Sequence, residues 1–215
     1  MKVFASWSGG KDCMLAVYRL LQKEGMEIAC LVNMCDIDGE YSRSHGIRKS
    51  FIQNQAAAMN IPILQEPTDI RGYETCFKSV INELKKEGIT AGIFGDIYLL
   101  EHRVWIERVC NEMQIEPIFP LWENDTKTLL KEFIDTGFKA LTVAVNTDKL
   151  DENWIGRELD LSFYNEITAM ENIDPCAENG EYHSFVYSGP IFSHPVKFEK
   201  GKIHQKNNHV FLQLI

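Results

Sequence analysis

Ser8-Gly9-Gly10-Lys11-Asp12 stands between an apolar run of strand length, Met1 to Trp7, and Met14 to Leu21, whose apolar spacing is helical. A strand, a glycine pair and a helix start in succession make an anion cradle. Glycine lets the backbone approach oxygen atoms closely. The unpaired N–H groups and the positive dipole end of the helix favour a phosphate there. Lys11 adds a cation, and Asp12 is suited either to cap the helix or to hold a metal on the phosphates. The spacing is not that of a Walker A loop. An ordinary glycine turn is the competing reading, and the serine, lysine and aspartate around the pair weigh against it.

The stretch resembles the PP-loop of the N-type ATP pyrophosphatases, in which the loop holds the pyrophosphate that leaves when ATP adenylates a substrate. That superfamily usually places Ser after the Asp, where this chain has Cys13. One hydroxyl is lost and the backbone cradle is kept, so nucleotide binding is expected to survive.

The totals bound the rest. A chain of 215 residues accommodates one domain, or one with a small appendage. An apolar fraction of 45% and a charged fraction of 25% are ordinary for a globular protein. No apolar run approaches the roughly 18 residues of a membrane helix. No basic-then-apolar leader opens the chain, so a cytoplasmic protein without a membrane partner is expected. Lys and Arg number 22 against 31 Asp and Glu, a net charge of −9, which counts against a nucleic-acid partner. It does not count against ATP, because the cradle acts locally and Mg2+ brings its own charge. The six cysteines lack any Cys-x-x-Cys pair and read as reduced core residues, with Cys30 and Cys35 the nearest candidates for a redox role.

Strand-like and helix-like runs alternate through the first two thirds. Strands are expected over Glu27–Met34, Ile61–Leu64, Thr90–Phe94, Ile115–Phe119 and Ala140–Val145. Helices are expected over Ile47–Met59, Tyr73–Glu87 (closed by Gly88), Val104–Met113 and Thr126–Thr136. This rhythm predicts an α/β fold with a doubly wound parallel sheet, and the PP-loop resemblance implies the PP-loop ATPase (HUP) type. Ligands in such sheets sit at the carboxyl ends of the strands, so the glycine loop, the polar loop after Met34 and Gly95-Asp96 are expected to open onto one crevice. The rhythm breaks after Asn146. A helix near Leu161–Met170 and short strands over His183–Tyr187, His194–Glu199 and His209–Leu214 predict a smaller C-terminal α+β region. The expected division is an ATP-binding domain over 1–146 and a substrate-binding region over 147–215.

A second motif runs from Asp174 to Ser184: Asp-Pro-Cys-Ala-Glu-Asn-Gly-Glu-Tyr-His-Ser. Glu178 and Glu181 flank an Asn-Gly turn signal and are suited to bind an amine, hold a metal or act as a general base. A solvated turn is the plain alternative. With this segment the chain resembles the diphthine–ammonia ligase family, which pairs an N-terminal PP-loop with a late Glu-Gly/Asn-Gly-Glu-Tyr/Phe segment. The likeness extends to Ser44-His45, Gly95-Asp96-Ile97, Arg103, Glu107 with Cys110, Pro120-Leu121-Trp122, Gly156-Arg157 and Gly189-Pro190-Ile191-Phe192.

The resemblance implies an ATP-dependent, AMP-forming amide ligase. A substrate carboxylate, that of diphthine on translation elongation factor 2, is adenylated and then amidated by ammonia. Ser6, Ser8, Gly9, Gly10, Lys11, Asp12, Cys13, Ser44, His45, Gly95 and Asp96 are expected to contact the nucleotide, with Mg2+ on Asp12. Lys11, Asp12, Glu178, Glu181 and His183 are the expected catalytic set. Arg103 with Glu107, and Arg157, suit either a site or a surface ion pair. Two other readings stay open: the same ATP chemistry on another acceptor, a small carboxylate or a tRNA base, and an ATP-binding sensor without turnover. A homodimer through the C-terminal strands is also expected.

Overall fold

Val3, Phe4 and Ala5 are all fully buried, as a strand covered on both faces requires. They lie in β1 (Lys2–Ser6), the middle strand of a five-stranded sheet. The other members are β2 (Glu27–Cys35), β3 (Ile63–Pro67), β4 (Ala91–Ile93) and β5 (Glu116–Ile118), in the order β3-β2-β1-β4-β5 with every pairing parallel. The computed structural model describes residues 1–43 and 45–215.

The strands are joined by α1 (Lys11–Leu21), α2 (Lys49–Met59), α3 (Tyr73–Lys86) and α4 (Leu100–Glu112). Alternation along β1 divides the core in two. Val3, Ala5 and Trp7 join α1, α2 and the C-terminal region. Phe4 points the other way, into a second cluster with Phe77, Val80, Ile81 and Leu84 of α3 and Ile106 and Val109 of α4. There it meets Phe77 and Phe94 edge to face, ring centroids 6.1 and 6.0 Å away. Strand order turns back on itself between β1 and β4, so a crevice opens at their carboxyl ends.

α5 (Thr126–Asp135) follows, capped by Asp125, whose side chain accepts from the Thr128 N–H at 2.8 Å. Arg19, in the last turn of α1, ties α5 to the sheet through Glu132 (2.9 and 2.5 Å) and the Pro120 carbonyl (2.9 Å). Beyond it β6 (Lys139–Asn146), β7 (Tyr182–Ser188), β8 (Lys200–Lys206) and β9 (His209–Leu214) form an antiparallel sheet, order β7-β6-β9-β8, with α6 (Leu161–Thr168) packed nearby.

Four expectations are corrected. The strand expected over Ala140–Val145 in the parallel sheet is β6, and it heads the antiparallel sheet instead. A fully apolar run fits a buried strand of either sheet, so periodicity alone does not choose. No strand forms over His194–Glu199. That segment is irregular, tied by the Val196 N–H to the Tyr187 carbonyl at 2.7 Å, and the strand lies downstream in the polar Lys200–Lys206. It was hidden because an exposed edge strand carries no apolar alternation; its hairpin to β9 turns at Asn207-Asn208. α1 starts at Lys11 with Gly10 as its N-cap, so Asp12 sits in the first turn and does not cap the helix. α4 starts at Leu100, four residues before the first apolar periodicity. No described helix is long and apolar enough to cross a membrane.

Gly92 supplies a test of this packing. A Cβ there would lie 2.4 Å from Phe4 Cζ, inside the buried second cluster. Gly92→Ala is expected to lower the unfolding free energy by about 1–3 kcal/mol, read from urea midpoints. An unchanged midpoint would mean that Phe4 is not wedged between β4 and the α3/α4 layer.

Candidate active site

The glycine loop bridges β1 and α1, and its shape is imposed by what crowds it. Gly9 has φ +84, and a Cβ there would meet Ile52 Cδ1 at 2.4 Å and Gln55 Oε1 at 2.8 Å. A Cβ on Gly10 would lie 2.4 Å from His45 Cε1. Gln55, wholly buried, accepts from Trp7 Nε1 (3.1 Å) and donates to the carbonyls of Gly9 (2.9 Å) and Val186 (2.5 Å). From the second sheet, the Val186 N–H donates to the Gly9 carbonyl at 3.0 Å, and Ser184 Oγ accepts the Lys11 N–H at 3.1 Å. Strand β7 is thus stitched along the loop.

The Gly10 N–H goes to Ser8 Oγ at 3.3 Å. Among the described residues the amides of Asp12 and Cys13 have no protein partner, the unpaired donors that a helix start offers an anion; those of Ser8 and Gly9 face the Cys13 sulfur. Cys13 Sγ lies 3.4 Å from Ser8 Oγ and donates to the Gly10 carbonyl at 3.2 Å. Burial pushes its thiol up, so it stays neutral and fills the loop as a hydroxyl would.

The loop opens onto a cleft of about 250 Å³ at the carboxyl ends of β1, β2 and β4. Ser6, Ser8, Asp12 and Cys13 line it from β1 and α1, Asn33 and Met34 from β2, and Gly95 and Asp96 from beyond β4. Arg43, His45, Tyr73 and Glu178 complete the walls. Gly95 lets the strand end touch the helix start, since a Cβ would sit 2.9 Å from the Cys13 amide nitrogen. Ser44 lies outside the described residues.

The cleft is acidic. Burial pushes the Asp12 carboxyl up, Lys11 pulls it down, and the charges of Asp174 and Asp96 push it up again. Glu178 is raised to about 7, chiefly by burial and then by Asp12, although the Ile97 N–H donates to its Oε2 at 3.2 Å. Asp174, buried behind it, shapes the turn by accepting from the Glu178 N–H (2.8 Å), the Cys176 N–H (3.2 Å) and the Tyr98 hydroxyl (3.1 Å). Asp96 faces His102 Nδ1 at 3.3 Å. Among the described residues, no three His, Cys, Asp or Glu side chains converge as a ready-made metal site.

Three expected site residues stand elsewhere. Lys11 is buried and does not line the cleft. Its ammonium bonds Asp12 Oδ2 at 2.9 Å and the Cys176 carbonyl, and sits 5.0 Å from the Tyr182 ring centroid. Burial opposes its charge, yet the Asp12 carboxylate keeps it protonated. Glu181 is 1% exposed; Oε1 accepts from the Asp174 N–H at 3.2 Å, and Oε2 has no partner among the described residues. His183 lies against His45, centroids 4.6 Å apart with the rings tilted by 34°. Burial lowers both imidazoles, His45 to about 4, so neither is a cation at neutral pH.

The remaining candidates lie outside the lining of the cleft. Arg103 pairs with Glu107 at 2.6 Å and lies over Trp122, and Arg157 pairs with Glu166 at 2.7 Å and lies over Trp154. The six thiols are unpaired, and burial pushes those of Cys30 and Cys35 up, away from reactive thiolate. Gln55, Arg43 and Tyr73 escape a sequence reading, because each acts through partners far away in the chain.

Two family models match the chain: the diphthamide synthase N-terminal domain over residues 1–117 and the diphthamide synthase C-terminal domain over 125–214. The chain is 27% identical to the diphthine–ammonia ligase of Danio rerio, across 89% of this chain and 84% of that protein. It is 24% identical to the Homo sapiens protein of the same name, across 94% and 85%. Among solved structures, a predicted subunit of tRNA methyltransferase from Methanocaldococcus jannaschii superposes with a TM-score of 0.48 at 15% identity, covering 86% of this chain and 96% of that one.

Glu178 supplies a pH test. Its carboxyl keeps its proton to about pH 7 when folded, against 4.5 for the free side chain. Between those values the folded state binds more protons than the unfolded one, so stability falls as pH rises through this window and levels above it. The stability of the wild type relative to Glu178→Gln is therefore expected to decline from pH 5 to 7 in urea unfolding. A flat difference would place Glu178 in water.

Proposed function

Because this chain belongs to the diphthamide synthase family, we propose that it is an ATP-dependent, AMP-forming amide ligase that adenylates a carboxylate and transfers the acyl group to ammonia. Its relatives are enzymes named diphthine–ammonia ligases, and diphthine on elongation factor 2 is the acceptor proposed here. One observation carries the reading. Unpaired amides at the start of α1, the Asp12 and Asp96 carboxylates and Glu178 of the late motif share the walls of a single cleft at the strand-order reversal.

A carboxylate is a poor electrophile, and adenylation turns one of its oxygens into a leaving group. In the first step a carboxylate oxygen attacks the α-phosphorus, the bond to the bridging oxygen breaks, and pyrophosphate departs. The free amides of Asp12 and Cys13 suit them to hold the departing charge, on a loop fixed before reaction by the Gln55 and β7 anchors. In the second step the ammonia nitrogen attacks the acyl carbon, the C–O bond to AMP breaks, and the nitrogen sheds a proton. Glu178, raised to about 7, is poised to take it at neutral pH.

Lys11 acts indirectly: its ammonium, shared between Asp12 and the Cys176 carbonyl, fixes the Asp12 carboxylate and the late motif together. Glu181 anchors the same motif from behind, through the Asp174 amide. Mg2+ fits this donor set, since one or two carboxylates with phosphate oxygens are its usual company. Asp12 would hold it, and the ion would neutralise charge building on the phosphates.

Incubation with ATP, ammonium and diphthine-bearing elongation factor 2 is expected to yield AMP, pyrophosphate and the amide in equal amounts. Asp12→Asn is expected to slow AMP release about 100-fold or more. Glu178→Gln is expected to slow the ammonia-dependent step about 100-fold or more while ATP–pyrophosphate exchange persists. Release of ADP in place of AMP would refute adenylation. Tight ATP binding without any turnover would favour a sensor, and AMP formation with a different acid would change the acceptor.

A further inference from the structure

A second cavity of about 740 Å³ adjoins the cleft. Ser6, Arg43, Tyr73 and Asp96 line both spaces, so the two share a wall. Away from that wall the larger cavity has an aromatic side, while Arg71, Glu74, Glu101 and His102 also line it. Tyr73 stacks on Phe77 (6.3 Å between centroids), and Trp105 lies 5.8 Å from Tyr73 and 6.0 Å from Phe77. The Trp105 ring is fixed by its Nε1 donating to Glu74 Oε2 at 3.0 Å. Glu74 is itself held by Arg108 (3.0 and 2.5 Å) and Lys78 (2.6 Å), which keep its carboxyl ionised and occupied. The aromatic side is thus fixed in place, and the space is large enough for a small organic group.

Charge on the shared wall narrows the occupant. In the nucleotide cleft Asp12, Asp96 and Glu178 face one another, while Lys11 is turned inward and His45 is neutral. That leaves Arg43 as the cation among the described residues lining this cleft; Arg71 lines the larger cavity but does not reach the shared wall. Its guanidinium is half-buried and donates through Nη1 to the Thr68 carbonyl at 2.9 Å; among the described residues no carboxylate pairs with it. A planar fork with donors to spare, placed where an aromatic cavity meets a phosphate-binding cleft, matches a carboxylate.

We propose that the larger cavity is the acceptor subsite and takes a carboxylic acid borne on an apolar stem. The stem lies against Tyr73, Phe77 and Trp105. Arg43 receives the carboxylate at the shared wall and presents it to the nucleotide. The assignment rests on the ligase reading above and adds the acid's location, its chemical class and the residue that selects it.

The test uses 3-phenylpropionate as probe and the uncharged 3-phenylpropanamide as control. Both are titrated calorimetrically into protein saturated with α,β-methylene-ATP. Nucleotide affinity is measured first, and its absence would sink the ligase reading before any acid is added. Given nucleotide binding, the acid is expected to bind at least about 10-fold more tightly than the amide. Arg43→Gln is expected to erase that preference, and Arg43→Lys to retain part of it, which separates a lost charge from a damaged fold. Equal binding of acid and amide would overturn the proposal. So would a preference that survives Arg43→Gln, including the case in which that variant loses only nucleotide affinity and Arg43 serves the phosphates. Displacement of the probe by diphthine-bearing elongation factor 2 would assign the subsite to a protein-borne acid. A bound probe that this protein fails to displace would keep the subsite, assign it to a free acid, and refute diphthine as the acceptor.

Discussion

The Gly9 carbonyl, held at once by Gln55 Nε2 and the Val186 N–H, is the contact on which the rest of the site depends. It joins three parts of the chain, the loop after β1, helix α2 and strand β7. Each such bond contributes only about 0.5–1.5 kcal/mol, yet together they remove the loop's freedom to collapse on its own amides. With Gly9 locked at positive φ and Ser184 taking the Lys11 N–H, the neighbouring donors stay unpaired. An anion site of this kind works because its dipoles are oriented before the ligand arrives.

The C-terminal sheet is therefore part of the candidate site as well as its neighbour. The Lys11 ammonium reaches back to the Cys176 carbonyl and lies over Tyr182, and Tyr182 in turn donates from its hydroxyl to the Pro175 carbonyl at 2.7 Å. These contacts aim the turn that carries Glu178 across the mouth of the crevice. Burial first, and then the mutual repulsion of these carboxylates, pushes Asp12 and Glu178 toward their neutral forms. A cation or a substrate proton relieves that repulsion, so electrostatic stress and the chemistry proposed for the site have one origin.

Local patterning carried most of the architecture. β1 through α4 follow from apolar runs alternating with amphipathic helices, and the glycine pair located the crevice because its residues are contiguous. Glu178 and Asp96 were legible for the same reason, each standing in a short run of functional residue types. Glu181 and His183 belong to the same run as Glu178, but burial sends one beneath the motif and the other against His45. Strand alternation and side-chain direction, not residue type, made that division.

By itself the sequence determined that this chain builds a doubly wound sheet with a glycine turn between its first strand and first helix, since both depend on neighbours within a few residues. Tertiary structure alone decided that β6 joins the antiparallel sheet, that Lys11 turns inward, and that Gln55 and Arg43 matter. Those outcomes depend on contacts between residues far apart in the chain, such as Lys11 with Cys176, 165 positions away. No local period encodes such a contact; it exists only once burial has brought the two segments together.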